Sequence, residues 1–161
     1  MHPTAQKVAD AAQSLGLTIE IKEFEASTRT AQDAADAIGC TVGQIVKSLL
    51  FVVAGQPTMA LVSGSNQLDE KKLAALCGVG RKQVKRADAD TARQATGFAI
   101  GGVPPFGHAT PLPVYIDADF LQFEVIWAAA GTPNAVFAIT PAELVRATGG
   151  VVADLKAVPN L

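Results

Sequence analysis

Lys47 is the residue whose type and position most suggest chemistry. In the run Ile45-Val46-Lys47-Ser48-Leu49-Leu50-Phe51-Val52-Val53, a strand's period of two puts the lysine on one face with Ile45, Leu49, Phe51 and Val53. An ammonium group on an apolar face costs free energy unless it snorkels, pairs or acts on a ligand. The pattern alone leaves two readings. One is a lysine near the strand's start that snorkels to the sheet's end; the other is a cation at a cavity edge that holds a phosphate or polarises a carbonyl.

The second candidate is Gly101-Gly102-Val103-Pro104-Pro105-Phe106-Gly107-His108. Adjacent glycines let a ligand approach the backbone and leave amide N–H groups for an oxyanion, while two prolines stiffen the loop. An ordinary tight connection has the same composition. His108 is a candidate general base, although a lone histidine beside a loop is more often a surface or packing residue. Ala130-Gly131-Thr132-Pro133-Asn134 offers another backbone edge and one hydroxyl. Asp117 and Asp119 flank a strand end and read as solvated. No G-x-S-x-G elbow, Walker A loop or G-x-G-x-x-G fingerprint occurs. Neither Cys40 nor Cys77 has a C-x-x-C partner, and His2 and His108 are the only histidines, so no metal or cofactor is expected.

These residues need elements to position them. Apolar spacing predicts a helix over 4–15 ending at Gly16, and alternation predicts a strand over 17–24. Ser27, Thr28 or Thr30 then caps an alanine-rich helix that stops at Gly39. Runs 45–53 and 58–62 form a hairpin across Ala54-Gly55-Gln56-Pro57. Short helices follow over 69–76 and 90–96, ending at Gly78 and Gly97. Strand-like 98–100 precedes the loop 101–113, with further strands over 113–117, 125–130 and 135–139. Thr140-Pro141-Ala142-Glu143 is a capping box with proline at the first helical position, opening a helix that stops at Gly149. A final strand covers 151–155. Strands fall in adjacent groups, which favours an α+β fold with a mixed, largely antiparallel sheet and flanking helices.

With 161 residues, 49% hydrophobic and 17% charged, the chain has the size and composition of a single globular domain spanning 1–161. No window approaches the roughly 18 apolar residues of a membrane span. The first residues lack a signal peptide's apolar region, so a cytoplasmic protein is expected. The net charge of −2 argues against bulk nucleic-acid binding, DNA included. Its distribution is uneven, because Lys71, Lys72, Arg81, Lys82, Lys85, Arg86 and Arg93 stand against only Asp88 and Asp90 between 71 and 93. That segment carries +5 and the remainder −7. A local polyanion contact and a merely solvated face both fit it.

Val46-Lys47-Ser48-Leu49, Gln67-Leu68-Asp69-Glu70-Lys71-Lys72-Leu73, Ala95-Thr96-Gly97-Phe98, the loop from Gly101 to Gly107 and the later Gly131 together resemble the YbaK family. That family is similar to the editing insertion of bacterial prolyl-tRNA synthetases, and the resemblance runs over about 30–154. It implies a barrel-like sheet and a freestanding, metal-free deacylase that hydrolyses the ester of mischarged tRNA, typically tRNA(Pro). Lys47 matches the family's functional lysine, and Gly101 and Gly102 match backbone positions lining the aminoacyl pocket. Gly131 matches the glycine of the other pocket loop. Val103, Pro104, Pro105, Gly107, His108 and Thr132 are then expected at the substrate, and Arg81, Lys82, Lys85 and Arg86 at the tRNA acceptor end. Prolyl-tRNA synthetase is a candidate partner.

Family members that act on cysteinyl-tRNA(Pro) tend to have Ser-Gly-Gly-Lys-Arg-Gly where this chain has Ala129-Ala130-Gly131-Thr132-Pro133-Asn134. They commonly have Ser-Pro where Pro104-Pro105 stands, and Gln where His108 stands. The sequence is more similar to ProXp-type relatives, which implies alanine, serine, threonine or 2-aminobutyrate as the amino acid removed. The alternative function is a noncatalytic module that binds tRNA or a synthetase through 71–93.

Overall fold

The computed structural model describes residues 1–25 and 30–159. Helix α1 (Pro3–Ser14) buries Ala5, Val8 and Ala12, the stripe that its apolar spacing requires. Strand β1 (Ile21–Glu23) is shorter than the alternation over 17–24 suggests, because only these three residues find a partner strand. Thr30 caps helix α2 (Ala31–Ile38), its hydroxyl accepting the Asp33 N–H at 3.0 Å. The alternative caps Ser27 and Thr28 lie outside the described residues. The central hairpin pairs β2 (Val46–Val53) with β3 (Gln56–Ser63) in an unbroken antiparallel register from Val46↔Ser63 to Val53↔Gln56.

Asp69 caps α3 (Glu70–Cys77), which leads to β4 (Val84–Arg86), and Asp88 caps α4 (Ala89–Thr96). The expected strand over 98–100 is absent. These residues form a turn in which the Gly102 N–H donates to the Ala99 carbonyl at 3.2 Å, and no strand lies alongside them. Strands β5 (Val114–Asp117), β6 (Ile126–Ala129) and β7 (Ala135–Ile139) follow. The predicted capping box opens α5 (Pro141–Thr148), and β8 (Val151–Ala153) ends the regular structure.

The sheet is mixed, as expected, but it is not a barrel. Five strands in the order β4-β2-β3-β5-β8 form one sheet, antiparallel through β3 and parallel beyond it. A separate antiparallel sheet has the order β1-β7-β6. A single parallel bridge, Ile45↔Trp127, joins them, and the strands then part. The main core lies where α1, α4 and α5 meet one face of the hairpin, with Phe120 and Phe137 fully buried. A second cluster under α3 covers the other face with Phe51, Val53, Ala60, Val62 and Leu73. Helix α2 sits over the bridge, packing Ala34 and Ala35 on Ile45 and Trp127. No helix among the described residues is long and apolar enough to cross a membrane.

Candidate active site

Strand β2 carries the site at its beginning. The alternation that sends Leu49, Phe51 and Val53 under α3 sends Lys47 the same way, but the lysine stands where that cluster ends. Its ammonium therefore stays half-buried and donates to the main-chain carbonyl of Asn66. Burial lowers the lysine's pKa; the negative charge of Asp117 works against this, and the positive charge of Arg86 adds to it.

Ser48 faces the opposite way, and its Oγ is buried with no hydrogen-bond partner among the described residues. Its backbone is also turned to an open edge. The Gly64 N–H bonds the Ile45 carbonyl and the Ala87 N–H bonds the Leu50 carbonyl. Odd positions of β2 thus bond to β3 and even positions point to the other edge. Strand β4 covers that edge only from Phe51 to Val53, so no strand among the described residues lies alongside Ser48.

The space beside Ser48 is a cleft of about 340 Å³. Past the Ile45↔Trp127 bridge, β2 forms one wall with Lys47 and Ser48, and β6 forms the other with Ala128 and Ala129. Ala31 and Ala34 of α2, Val136 of β7, and Gly101, Val103 and Thr132 complete it. Among the described residues, Lys47 and Arg86 are the only charged ones lining it, and no carboxylate, thiol or imidazole of those residues faces it. Arg86 reaches the cleft from β4, paired with Phe51 in register and with its guanidinium over the Phe51 ring at 5.5 Å.

The two glycine loops expected at the site meet each other. A Cβ on Gly102 would stand 2.7 Å from the Gly131 carbonyl carbon and oxygen and from Thr132 Cα. Only glycine lets these two backbones touch. The cleft takes Gly101 and Thr132, while Gly102 and Gly131 are buried behind it. The Gly102 N–H is not free for an oxyanion, because Ala99 already accepts it.

His108 and Gly107 lie elsewhere, on a cavity of about 430 Å³ that Pro105 also lines against α1 and α5. There the His108 Nε2 is 2.7 Å from the Pro104 carbonyl oxygen, and burial lowers the imidazole pKa against the pull of that bond. Pro104 and Pro105 are themselves buried.

Among the basic residues, Arg81 is held by Glu70 at 2.9 Å, and Lys82 and Lys85 are exposed away from the cleft, so Arg86 alone of the four reaches it. Both cysteines are free thiols. Among the described residues, no three His, Cys, Asp or Glu side chains gather as a metal site would need.

The chain's sequence from residue 25 to 147 matches the aminoacyl-tRNA editing domain. The chain belongs to that family. One relative of this editing domain is the uncharacterized protein YwhH of Bacillus subtilis (strain 168), 33% identical over 78% of each chain. EbsC of Enterococcus faecalis, provisionally named a Cys-tRNA(Pro)/Cys-tRNA(Cys) deacylase, is 28% identical over 78% of this chain and 76% of its own. Among solved structures, a protein provisionally described as a trans-editing enzyme for prolyl tRNA synthetase superposes with a TM-score of 0.93. It is 48% identical, over 98% of this editing domain and 99% of that chain.

Two residues of the site carry little local signal. Ser48 stands out only through alternation, since the period that exposes Lys47 on one face must turn Ser48 to the other. Asp117 differs from the solvated carboxylate that its place at a strand end suggests. It is 1% exposed, not solvated, because parallel pairing of β5 with β3 brings its carboxylate to the Ser63 N–H at 3.0 Å. A pairing between residues more than 50 positions apart leaves no local trace.

Proposed function

We propose that this editing domain is a trans-acting aminoacyl-tRNA deacylase whose cleft takes the mischarged 3′ end of tRNA(Pro) bearing a small non-cognate amino acid. The observation that carries this reading is a small cleft with two cations, apolar walls and no side-chain base. A phosphodiester and an ester carbonyl both suit such cations. Alanines at 31, 34, 128 and 129 give the cleft apolar walls without polar groups to engage a charged side chain.

In this reading Lys47 holds the carbonyl or the adjacent phosphate, and Gly101 and Thr132 line the reacting group. The Ser48 Oγ meets a polar atom of the aminoacyl group. Water adds to the ester carbon, the carbon–oxygen bond to the terminal ribose breaks, and a water proton ends on the ribose hydroxyl. The products are the free amino acid and uncharged tRNA. Since no imidazole or carboxylate faces the cleft, the proton moves through water and substrate hydroxyls, and the protein contributes position and positive charge.

The names of the similar proteins support prolyl-tRNA as the substrate. The sequence's departure from the cysteine-specific pattern favours alanine, serine or 2-aminobutyrate as the residue removed. Small pockets separate such residues by only about 1–3 kcal/mol, so activity on more than one is expected.

The test offers tRNA(Pro) charged with alanine, cysteine, serine, threonine or 2-aminobutyrate to the wild type and to Lys47→Ala. Release of at least one small residue by the wild type, and loss of that release by about a hundredfold or more in the variant, is expected. Binding of tRNA without turnover would instead establish a noncatalytic module.

A further inference from the structure

Lys47 lines the cleft, and the carbonyl its ammonium touches belongs to a residue held on several sides. Asn66 follows β3 in a turn closed by its own N–H to the Ser63 carbonyl at 2.9 Å. Its side-chain amide donates to Asp117 Oδ2 and to Asp119 Oδ2, each at 2.9 Å. Asp117 is held in turn by the N–H groups of Ser63 at 3.0 Å and Asp119 at 2.9 Å, and Lys156 pairs with Asp119 at 3.0 Å. An amide –NH₂ supplies two donors without charge, which is what two neighbouring carboxylates require. An aspartate there would add a third negative group, and a glutamine would carry the amide one methylene too far.

We propose that Asn66 is a positioning residue. Its side chain, clamped between Asp117 and Asp119, turns its main-chain carbonyl onto the Lys47 ammonium and fixes that cation at the cleft. An ammonium has three donors, so one bond to Asn66 leaves two for a ligand. The proposal deepens the deacylase reading and rests on it where catalysis is concerned.

The charged groups around Lys47 are Asp117 at the end of β5, Arg86 on β4 and, beyond Asn66, Asp119 with Lys156. Glu70 of α3 lines a neighbouring cavity with Lys47 and is engaged by Arg81. Asp117 favours the charged lysine, so neutralising it lowers the pH at which Lys47 loses its proton. In Asn66→Ala the main-chain carbonyl remains but loses the side-chain clamp that aims it; its turning away from the ammonium acts in the same direction, because a hydrogen bond to the ammonium favours the charged form.

The experiment uses the full chain as wild type, Asn66→Ala and Asp117→Asn. The Lys47 Cε resonance, identified by its loss in Lys47→Ala, is followed against pH with no substrate present. Single-turnover release from mischarged tRNA(Pro) is followed alongside, with spontaneous hydrolysis subtracted. In both variants the Lys47 midpoint should fall to lower pH. The rate in Asn66→Ala should drop about tenfold or more while binding of uncharged tRNA stays within about twofold. In Asp117→Asn the alkaline loss of activity should begin at lower pH.

A wild-type rate in Asn66→Ala overturns the proposal. So does a lost rate with an unmoved Lys47 midpoint, which would mark a merely structural role. If buried Asp117→Asn fails to fold, Asn66→Ala decides alone. If the wild type releases no amino acid, the deacylase reading falls, and the substrate-free titration still tests how Lys47 is held.

Discussion

Ser48 and Lys47 are adjacent in sequence and divide the chemistry of the cleft between two faces of one strand. The lysine has its acceptor in Asn66, whereas the serine Oγ is buried without one among the described residues. An unmet buried hydroxyl costs about 1–3 kcal/mol, which a substrate atom can return on binding. Ser48→Ala should therefore leave stability to urea unchanged or raise it by up to about 1 kcal/mol, while slowing deacylation about three- to tenfold. Opposite signs for stability and activity separate a substrate contact from a packing role. A full rate in this variant would mean that the hydroxyl meets nothing on the substrate. Lys47 was legible because a charge interrupts an apolar run. Ser48 was not, since a serine in a strand raises no such conflict.

Helix α2, strand β6 and the two glycine loops enclose the cleft, and their contribution is spacing. The contact of Gly102 with Gly131 and Thr132 is backbone on backbone, so neither side can yield by changing a rotamer. Gly102→Ala should cost about 1–3 kcal/mol in urea denaturation and widen the cleft by moving Thr132. Deacylation should fall further than the lost folded fraction explains, read at a temperature where the variant remains native.

Most elements could be read locally, as with the caps at Thr30 and Thr140, each a polar residue before an apolar stripe; the caps at Asp69 and Asp88 lie at or just ahead of where local spacing starts their helices. The turn at 98–100 could not, because Phe98, Ala99 and Ile100 suit a strand and only the lack of a neighbour excludes one. His108 was placed near the substrate by its proximity in sequence, but the stiff Pro104-Pro105 segment carries it to the α1 and α5 side.

Across the whole molecule, the uneven charge concerns the cleft mainly through Arg86. Arg81 is paired with Glu70 and Lys72 with Asp154, each at 2.9 Å, so the +5 segment offers less free charge than its composition suggests. Arg86→Ala should weaken tRNA binding and lower the slope of log K against log salt by about one phosphate's worth. Arg81→Ala should change that slope less. Measurements between about 50 and 200 mM salt separate the two.

The division into two sheets was not legible in the sequence, since it depends on which strands pair at long range. Nor could family resemblance alone distinguish a closed barrel from sheets meeting at Ile45↔Trp127. That lone bridge has an evolutionary consequence. In the deacylase reading proposed above, the wall bearing Lys47 belongs to β2 and its sheet, and the facing wall of Ala128 and Ala129 belongs to β6 and the other. Substitutions at Ala128 and Ala129 can retune which residue is accepted while the strand bearing Lys47 stays as it is. On that reading, selectivity can drift across descendants of this fold while the reaction is preserved.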